Sequence, residues 1–464
     1  MPAEKLAYAL ARYSRSPDSI RASLDWVRAH DSSKFLDSFY FQYGHASIAD
    51  LGHVALCFEG VSELAAIDIE DEQLWDGQAR SSRYQDFSKS GFVTPPELDP
   101  PSAARYQQAG AALLAAYRDI HQRMVEHLSA QLPRPESMKP DAYQRNIAAR
   151  AFDVARYLLF LGIPTGVGQV TSIRTLERQI RRWKAARYEE LRQIGAETAA
   201  ACALPPACPW DPADPGPPLA PTLAKYVDPD TFPPTARAAL ALWASQNLPA
   251  HTPEPGPLVD LVRPTETLAD IAATLLYPVT HRAFRSLYDE VRSWSRARQA
   301  EVLDVALQSR SRRDELLREF RGGLYAYDFL IDIGAYRDMH RHRRCQQFRQ
   351  DFTFHHGFDV PEAIADAGLE HTFSAALDAA RAAAESLPAP AAEYLLPFAT
   401  RARFLFKLDF AEAEYIARLR SGVKGHFSYR AIAWAMKQRM EELEPELGRL
   451  IEATPPEVQD PLVR

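Results

Sequence analysis

The chain has 464 residues, 46% of them hydrophobic and 25% charged, with a formal charge of −7. That is an ordinary globular composition, long enough for about three domains. Its acidic balance argues against a general DNA binder, which needs a broad basic face, so nucleic acid is not an expected partner. No apolar run approaches the roughly 20 residues of a membrane-spanning helix. The opening MPAEKLAYALARYSRSPDSI lacks a signal peptide's apolar core, so no membrane association and a cytoplasmic location are expected.

In chain order, ALARYSRSPDSIRASL reads as an amphipathic helix broken at its serines and proline. VALCFEG, 54–60, reads as a strand, and TLERQIRRWKAARYEELRQI, from Thr175, as an amphipathic helix. Residues 204–264 are dense in proline, which blocks regular elements and favours an extended connection. They divide the chain into 1–203, a linker 204–264, and 265–464. LYAYDFLIDIG, 324–334, alternates like a half-buried strand, and DFTFHHGF, 351–358, has the same period. The halves look like copies. ARYLLFLG at Ala155 parallels AEYLLPFA at Ala392, and Arg182 and Arg192 are spaced like Arg420 and Arg430. A repeat this long implies duplication of a whole domain rather than a solenoid.

The most informative stretch is RDMHRHRRCQQFRQDF, 337–352. Arg337, Arg341, Arg343, Arg344 and Arg349 repel one another, and such a cluster is tolerated where an anion offsets the repulsion, since guanidinium forks match phosphate oxygens. A run leaving the strand at 324–334 would aim these cations at one spot. The bland alternative is a solvated basic turn. His340, His342, His355 and His356 lack carboxylate partners at ligand spacing, so no metal is expected. Cys57, Cys202, Cys208 and Cys345 have no paired spacing and suggest neither disulfides nor zinc. Cys345 beside its arginines could be an activated thiol or a structural one.

Taken together, GHASIADLGHVALCFEGVSELA from Gly44, RSSRY from Arg80, ARYLLF from Ala155, TSIR from Thr171 and RHR at Arg341–Arg343 resemble the flavin-dependent thymidylate synthase family in tandem form. The family pattern RHRxxSxNxxSxRY is split between the halves. Its RHR positions fall on Asp71, Glu72 and Gln73 in the first half, where two carboxylates would repel a phosphate. The second half keeps RHR but has Gln346 and Phe348 where the family has serine and asparagine. The arginine of ARxxLP is Arg156 in one half and Glu393 in the other, and that of TxNxR is Arg174 or Ala411. Each half lost what the other retained, whereas random decay would more often ruin one copy entirely.

The resemblance implies an α+β fold in two tandem synthase-like copies, each a small antiparallel sheet with long helices. It implies sites between subunits, so that a homodimer would form a pseudo-tetramer. Its residue roles carry over as follows: Arg341 and Arg343 catalytic; His45, Ser47, Asp50, Arg174 and His342 at the flavin; Ser81, Arg83, Arg156, Arg192 and Arg430 at dUMP. The implied reaction methylates dUMP to dTMP with FAD, NADPH and methylenetetrahydrofolate. The flavin carries the redox chemistry, and the protein supplies placement and electrostatics. Two other readings stand beside it: a flavoenzyme for another pyrimidine nucleotide, and a non-catalytic nucleotide- or RNA-binding homologue.

Overall fold

The computed structural model describes all residues except 32, 37–45, 84, 88, 232, 236–237, 239–255, 263–265, 277–283, 308–315, 317, 461 and 463–464. His45 and Tyr84 therefore lie outside the described residues. The fold is α+β. Helices α1 (Ala3–Tyr13) and α2 (Ile20–Ala29) flank the expected break. They precede β1 (His53–Ser62), α3 (Glu63–Glu70) and β2 (Asp76–Ala79). The long α4 (Pro100–Gln131) and α5 (Pro140–Ala155) lead to β3 (Pro164–Ser172), α6 (Ile173–Lys184) and α7 (Glu189–Cys202).

The second copy repeats this order. Strand β4 (Val259–Val262) is followed by α8 (Thr267–Leu276), α9 (Phe284–Arg292) and α10 (Arg296–Leu307). Then come β5 (Tyr325–Asp332), α11 (Ile333–Met339), β6 (Gln346–Arg349) and α12 (Glu370–Glu385). The copy ends with β7 (Arg401–Leu408), α13 (Phe410–Arg420) and α14 (Phe427–Leu443). The sheets are antiparallel, ordered β1-β3-β2 and β4-β5-β7-β6, so the second has the first's arrangement with one added edge strand.

Local chemistry explains these elements. In β7 Ala402, Phe404, Phe406 and Leu408 point into the core, while Arg401, Arg403, Leu405 and Lys407 are half-buried or exposed, the period of a one-sided strand. In β1 Gly60, at φ 69°, sits where the register with β3 shifts between Glu59 and Val61, a bulge a side chain would strain. Ser62 caps α3 by accepting from Ala65 N, and Asp332 caps α11 by accepting from Ala335 N. Ser62 precedes Asp76, and Asp332 precedes Gln346, by the same interval. Asp71–Gln73 and Arg341–Arg343 therefore occupy equivalent turns.

The copies share one hydrophobic core, running from Ala7 to Ile451. They meet along two antiparallel segments: Leu161 N donates to Leu396 O (3.1 Å), Gly162 N to Tyr394 O (2.7 Å), Phe398 N to Leu159 O (2.7 Å) and Ala399 N to Tyr157 O (3.1 Å). This exchange has the form of an internal two-fold axis.

Several expectations are corrected. DFTFHHGF is not a strand; it makes only an isolated bridge, Phe358 with Thr400, because Phe352 turns in against Phe404 and Tyr336. The helix read from Thr175 breaks at Ala185–Tyr188, where Arg187 and Tyr188 reach Glu393 of the other copy. The RHR run does not leave the strand directly, since α11 intervenes. Val259–Val262, inside the Pro-rich span, pairs with β5 as part of the second sheet.

Candidate functional site

Helix α11 delivers the cations. Arg337, in its last turn and buried, donates from Nη1 to Ser82 Oγ of the first copy (3.1 Å) and lies over the Phe398 ring at 4.8 Å. Its Nη2 is 2.6 Å from Glu63 Oε2, close but misaligned for a hydrogen bond. Four residues on, Arg341 is half-buried, and its side chain makes no hydrogen bond or ion pair among the described residues. Its field reaches Glu63 and Asp338. Burial disfavours the Asp338 charge, but Arg156, Arg341, Arg420 and Arg337 outweigh it and hold that carboxyl below its usual range. One carboxylate thus sits among four guanidiniums.

His342 is buried and held on both sides. Arg420 Nε donates to its Nε2 (2.8 Å), so the ring proton is on Nδ1, facing Glu412 Oε1 at 3.7 Å. Burial, with the Arg420 charge, holds this imidazole below its usual pKa. Arg343 donates from Nε to Trp75 O (3.0 Å) and stacks over the Trp75 indole at 4.2 Å, tying the RHR turn to the first copy. Arg344 is exposed, 3.6 Å from Asp409 and 3.7 Å from Glu412. Burial pushes the Cys345 thiol up to about 12, so it is not an activated nucleophile. Its Sγ donates to His342 O.

An open cavity of about 460 Å³ lies over this turn. Its lining includes Trp75, Gln73 and Asp76 from the first copy and, from the second, Arg341, Arg343, Arg344, Arg418 and Arg420 together with Glu412 and Glu414. A smaller cavity, about 270 Å³, lies on the other side of Arg343, against Asp71, Glu72 and Arg178. There the first copy's carboxylates are already neutralised: Arg178 is 2.5 Å from Glu72, and Arg182 is 2.7 Å from Asp68, 3.6 Å from Glu72 and 3.7 Å from Asp71.

The remaining expected residues separate into three groups. Arg83 and Arg156 converge on the α11 side of the site, but with partners. Arg83 makes a bidentate pair with Asp153 (2.9 and 3.1 Å) and donates to Tyr429 Oη (2.8 Å) and Lys424 O (3.3 Å). Burial disfavours its charge, and Asp153 outweighs that, leaving its pKa above the usual value. Ser81 Oγ accepts from Arg83 N and shapes the turn. Arg156, 2% exposed, reaches Asp338 at 3.3 Å. Ser47, Asp50 and Arg174 lie apart. Arg174 pairs with Asp50 at 2.9 Å, and none of the three lines either cavity. Arg192 binds Glu189 and Ala186 O, and Arg430 is buried against carbonyls of Ser421, Pro455 and Val458. Sequence reasoning did not single out Trp75, Tyr429 or Asp153, and noted Arg420 only for its repeat spacing. Tyr429 links the two halves of the site, lying between Arg83 (5.7 Å) and Arg420 (5.5 Å). Its one local signal is a neighbour, Arg430, already singled out.

Among the described residues, no group of three or more His, Cys, Asp or Glu could hold a metal ion, and no helix is long and apolar enough to cross a membrane.

Against known proteins, residues 1–205 and 261–446 match the family model described as thymidylate synthase complementing protein. A UPF0159 protein of Chlamydia pneumoniae is 25% identical over 434 residues, covering 89% of this chain and 78% of its own length. A UPF0159 protein of Chlamydia muridarum is 25% identical over 432 residues with the same coverage. The solved flavin dependent thymidylate synthase of Helicobacter pylori, complexed with FAD and dUMP, is 12% identical with a TM-score of 0.28, over 43% of this chain and 89% of that one.

Proposed function

Because the chain belongs to the thymidylate synthase complementing protein family, we propose that it methylates dUMP to dTMP, with FAD as its flavin, NADPH as reductant and methylenetetrahydrofolate as carbon donor. One observation carries the reading. The Ser82–Arg83 turn of the first copy and the RHR-bearing segment of the second are joined within one chain, by Arg337 to Ser82 and by Tyr429 between Arg83 and Arg420. Two half-degenerate copies thus supply complementary parts of one cationic site.

The residues fit a flavin nucleotide. The Arg341 side chain has no protein hydrogen bond or ion pair among the described residues, the cavity beside it is of ligand size at about 460 Å³, and Arg343 over Trp75 adds a cation on a flat surface. Bound there, FAD would supply the hydride that completes the new methyl group. Arg341 and Arg343 would neutralise phosphate and stabilise negative charge developing on the pyrimidine. His342, with both ring nitrogens engaged, would orient its neighbours rather than carry a proton. Arg83 and Arg156 would hold the nucleotide alongside Asp153 and Asp338. Ser47, Asp50 and Arg174 would take part only from a second chain, which is the basis for proposing a homodimer with pseudo-tetrameric symmetry.

The second reading is a nucleotide-binding homologue without catalysis, or with a different pyrimidine substrate. It is favoured by the occupation of Arg83 and Arg156 by carboxylates. The test is the purified protein with FAD, NADPH, methylenetetrahydrofolate and dUMP, assayed for dTMP. Formation of dTMP, and growth of a thymidine-requiring strain, supports the first reading. Bound flavin without dTMP selects the second.

A further inference from the structure

Beyond the family match lies a segment, Pro455–Asp460, with no helix or strand of its own. Its residues 457–460 are exposed, and Val458 is 51% exposed, so apolar burial does not hold it there. What holds it is a row of side-chain donors to its carbonyls. Arg430 Nη2 donates to Pro455 O (3.1 Å) and Val458 O (2.8 Å), and Arg150 Nη2 to Asp460 O (2.7 Å). Arg430 comes from α14 of the second copy and Arg150 from α5 of the first.

These two guanidiniums are an uncomfortable pair. Burial and the Arg150 charge both act against the Arg430 cation, and burial acts against Arg150, with Arg83 adding to it. The three acceptors of Arg430 are neutral carbonyls (Ser421, Pro455 and Val458). Tyr429 and, on the segment itself, Glu457 favour the Arg430 charge; Asp153 of the same helix and, after it, Asp460 of the segment favour that of Arg150. Charge-assisted bonds from a phosphate to two guanidiniums are stronger than bonds from carbonyl dipoles. An exposed segment held in this way is replaceable.

We propose that Pro455–Asp460 is a strap that stands in for an anionic ligand at Arg430 and Arg150, and that a phosphate-bearing ligand displaces it. The strap places backbone carbonyls where phosphate oxygens would bind, with two carboxylates on the same segment. It therefore competes with that ligand. The proposal rests on the nucleotide reading above in that the resemblance places Arg430 at dUMP, which is therefore one of the probes.

The experiment uses the full chain with the exposed Cys57 and Cys208 changed to serine and a nitroxide on Gln459→Cys. Inorganic phosphate and dUMP are added separately, and label mobility and binding are both read. The expected result is a mobile label on ligand binding. Arg430→Ala should be mobile from the outset and show no further response. Glu457→Gln with Asp460→Asn should bind the same probes about threefold more tightly, the size of an exposed charge pair. Binding of either probe that Arg430→Ala weakens but that leaves the label unchanged would overturn the strap, as would a label that neither probe moves at saturation. Release by inorganic phosphate without dUMP binding would leave the strap standing and remove the nucleotide reading.

Discussion

Glu63 has no acidic counterpart in the second copy, where Ile333 follows the cap. It is fully buried, and burial raises its carboxyl to about 7, with Arg337 opposing the shift. A carboxyl whose folded pKa is raised contributes its stability below the unfolded value and loses it as pH rises through the folded one. Stability should therefore fall between about pH 4.5 and 7, by on the order of 3 kcal/mol from this group. Glu63→Gln should flatten that slope in urea melts across the range; Asp332, raised to about 6 by burial, leaves a smaller slope behind. An unchanged slope would remove Glu63 as its source. Two arginines expected to act alike should also part company. Arg341→Ala should abolish activity and change stability by less than about 0.5 kcal/mol, because the side chain makes no hydrogen bond or ion pair among the described residues. Arg83→Ala should cost about 3–5 kcal/mol, because it leaves Asp153 buried and uncompensated. Equal losses of stability in the two would contradict the assignment.

At the scale of elements, equivalent turns carry opposite charge. Asp71 and Glu72 follow α3 and face Arg178 and Arg182 of α6. Arg341–Arg344 follow α11 and face Glu412 of α13. The carboxylates of the first copy's turn are thus neutralised by arginines of their own copy. On the proposed function, apo-protein titrated with FAD should saturate at one flavin per chain, and two per chain would show that the ion pairs open. The chain's sequence revealed much of this. The alternation in LYAYDFLIDIG, which is β5, and the repeated spacing around ARYLLF and AEYLLP are local signals, and the structure carries both. What escaped depends on distant partners. Arg187 and Tyr188 interrupt a helical pattern because Glu393 of the other copy binds them. Phe352 leaves a strand pattern because Tyr336 and Phe404 offer an aromatic pocket. Asp153, the partner that removes Arg83 from free solution, is 70 residues away in sequence.

For the whole molecule, the decisive fact is that the copies are not beads on a string. One core runs through both, and backbone groups of 157–162 and 394–399 bond to each other. Urea unfolding followed by circular dichroism and by tryptophan fluorescence should give one coincident transition despite the chain's length. Two separated transitions would mean independently stable halves. The same intimacy decides a complementation test. Arg83 and the RHR segment meet within one chain, through Ser82–Arg337 and Tyr429. Mixing inactive Arg83→Ala and Arg341→Ala dimers, with subunit exchange, should restore no activity. Rescue would show that a working site draws the two residues from different chains.

The capping residues of the two copies hold a last consequence. Ser62 donates from N and Oγ to Glu190 (2.8 and 2.6 Å), at the second position of α7. At the equivalent place Asp332 accepts from Ser428 Oγ, at the second position of α14. The same bond is made with acid and alcohol exchanged. A crossover between the repeated gene segments that joined one copy's strand to the other's helix would set Asp332 against a glutamate, or Ser62 against a serine. The first places two buried carboxylates in one cap, where both cannot stay ionised. The second strips the cap of its charge. Swapped polarity therefore makes the two repeats poor substrates for homogenisation, and a duplicated gene that carries it can keep its halves different.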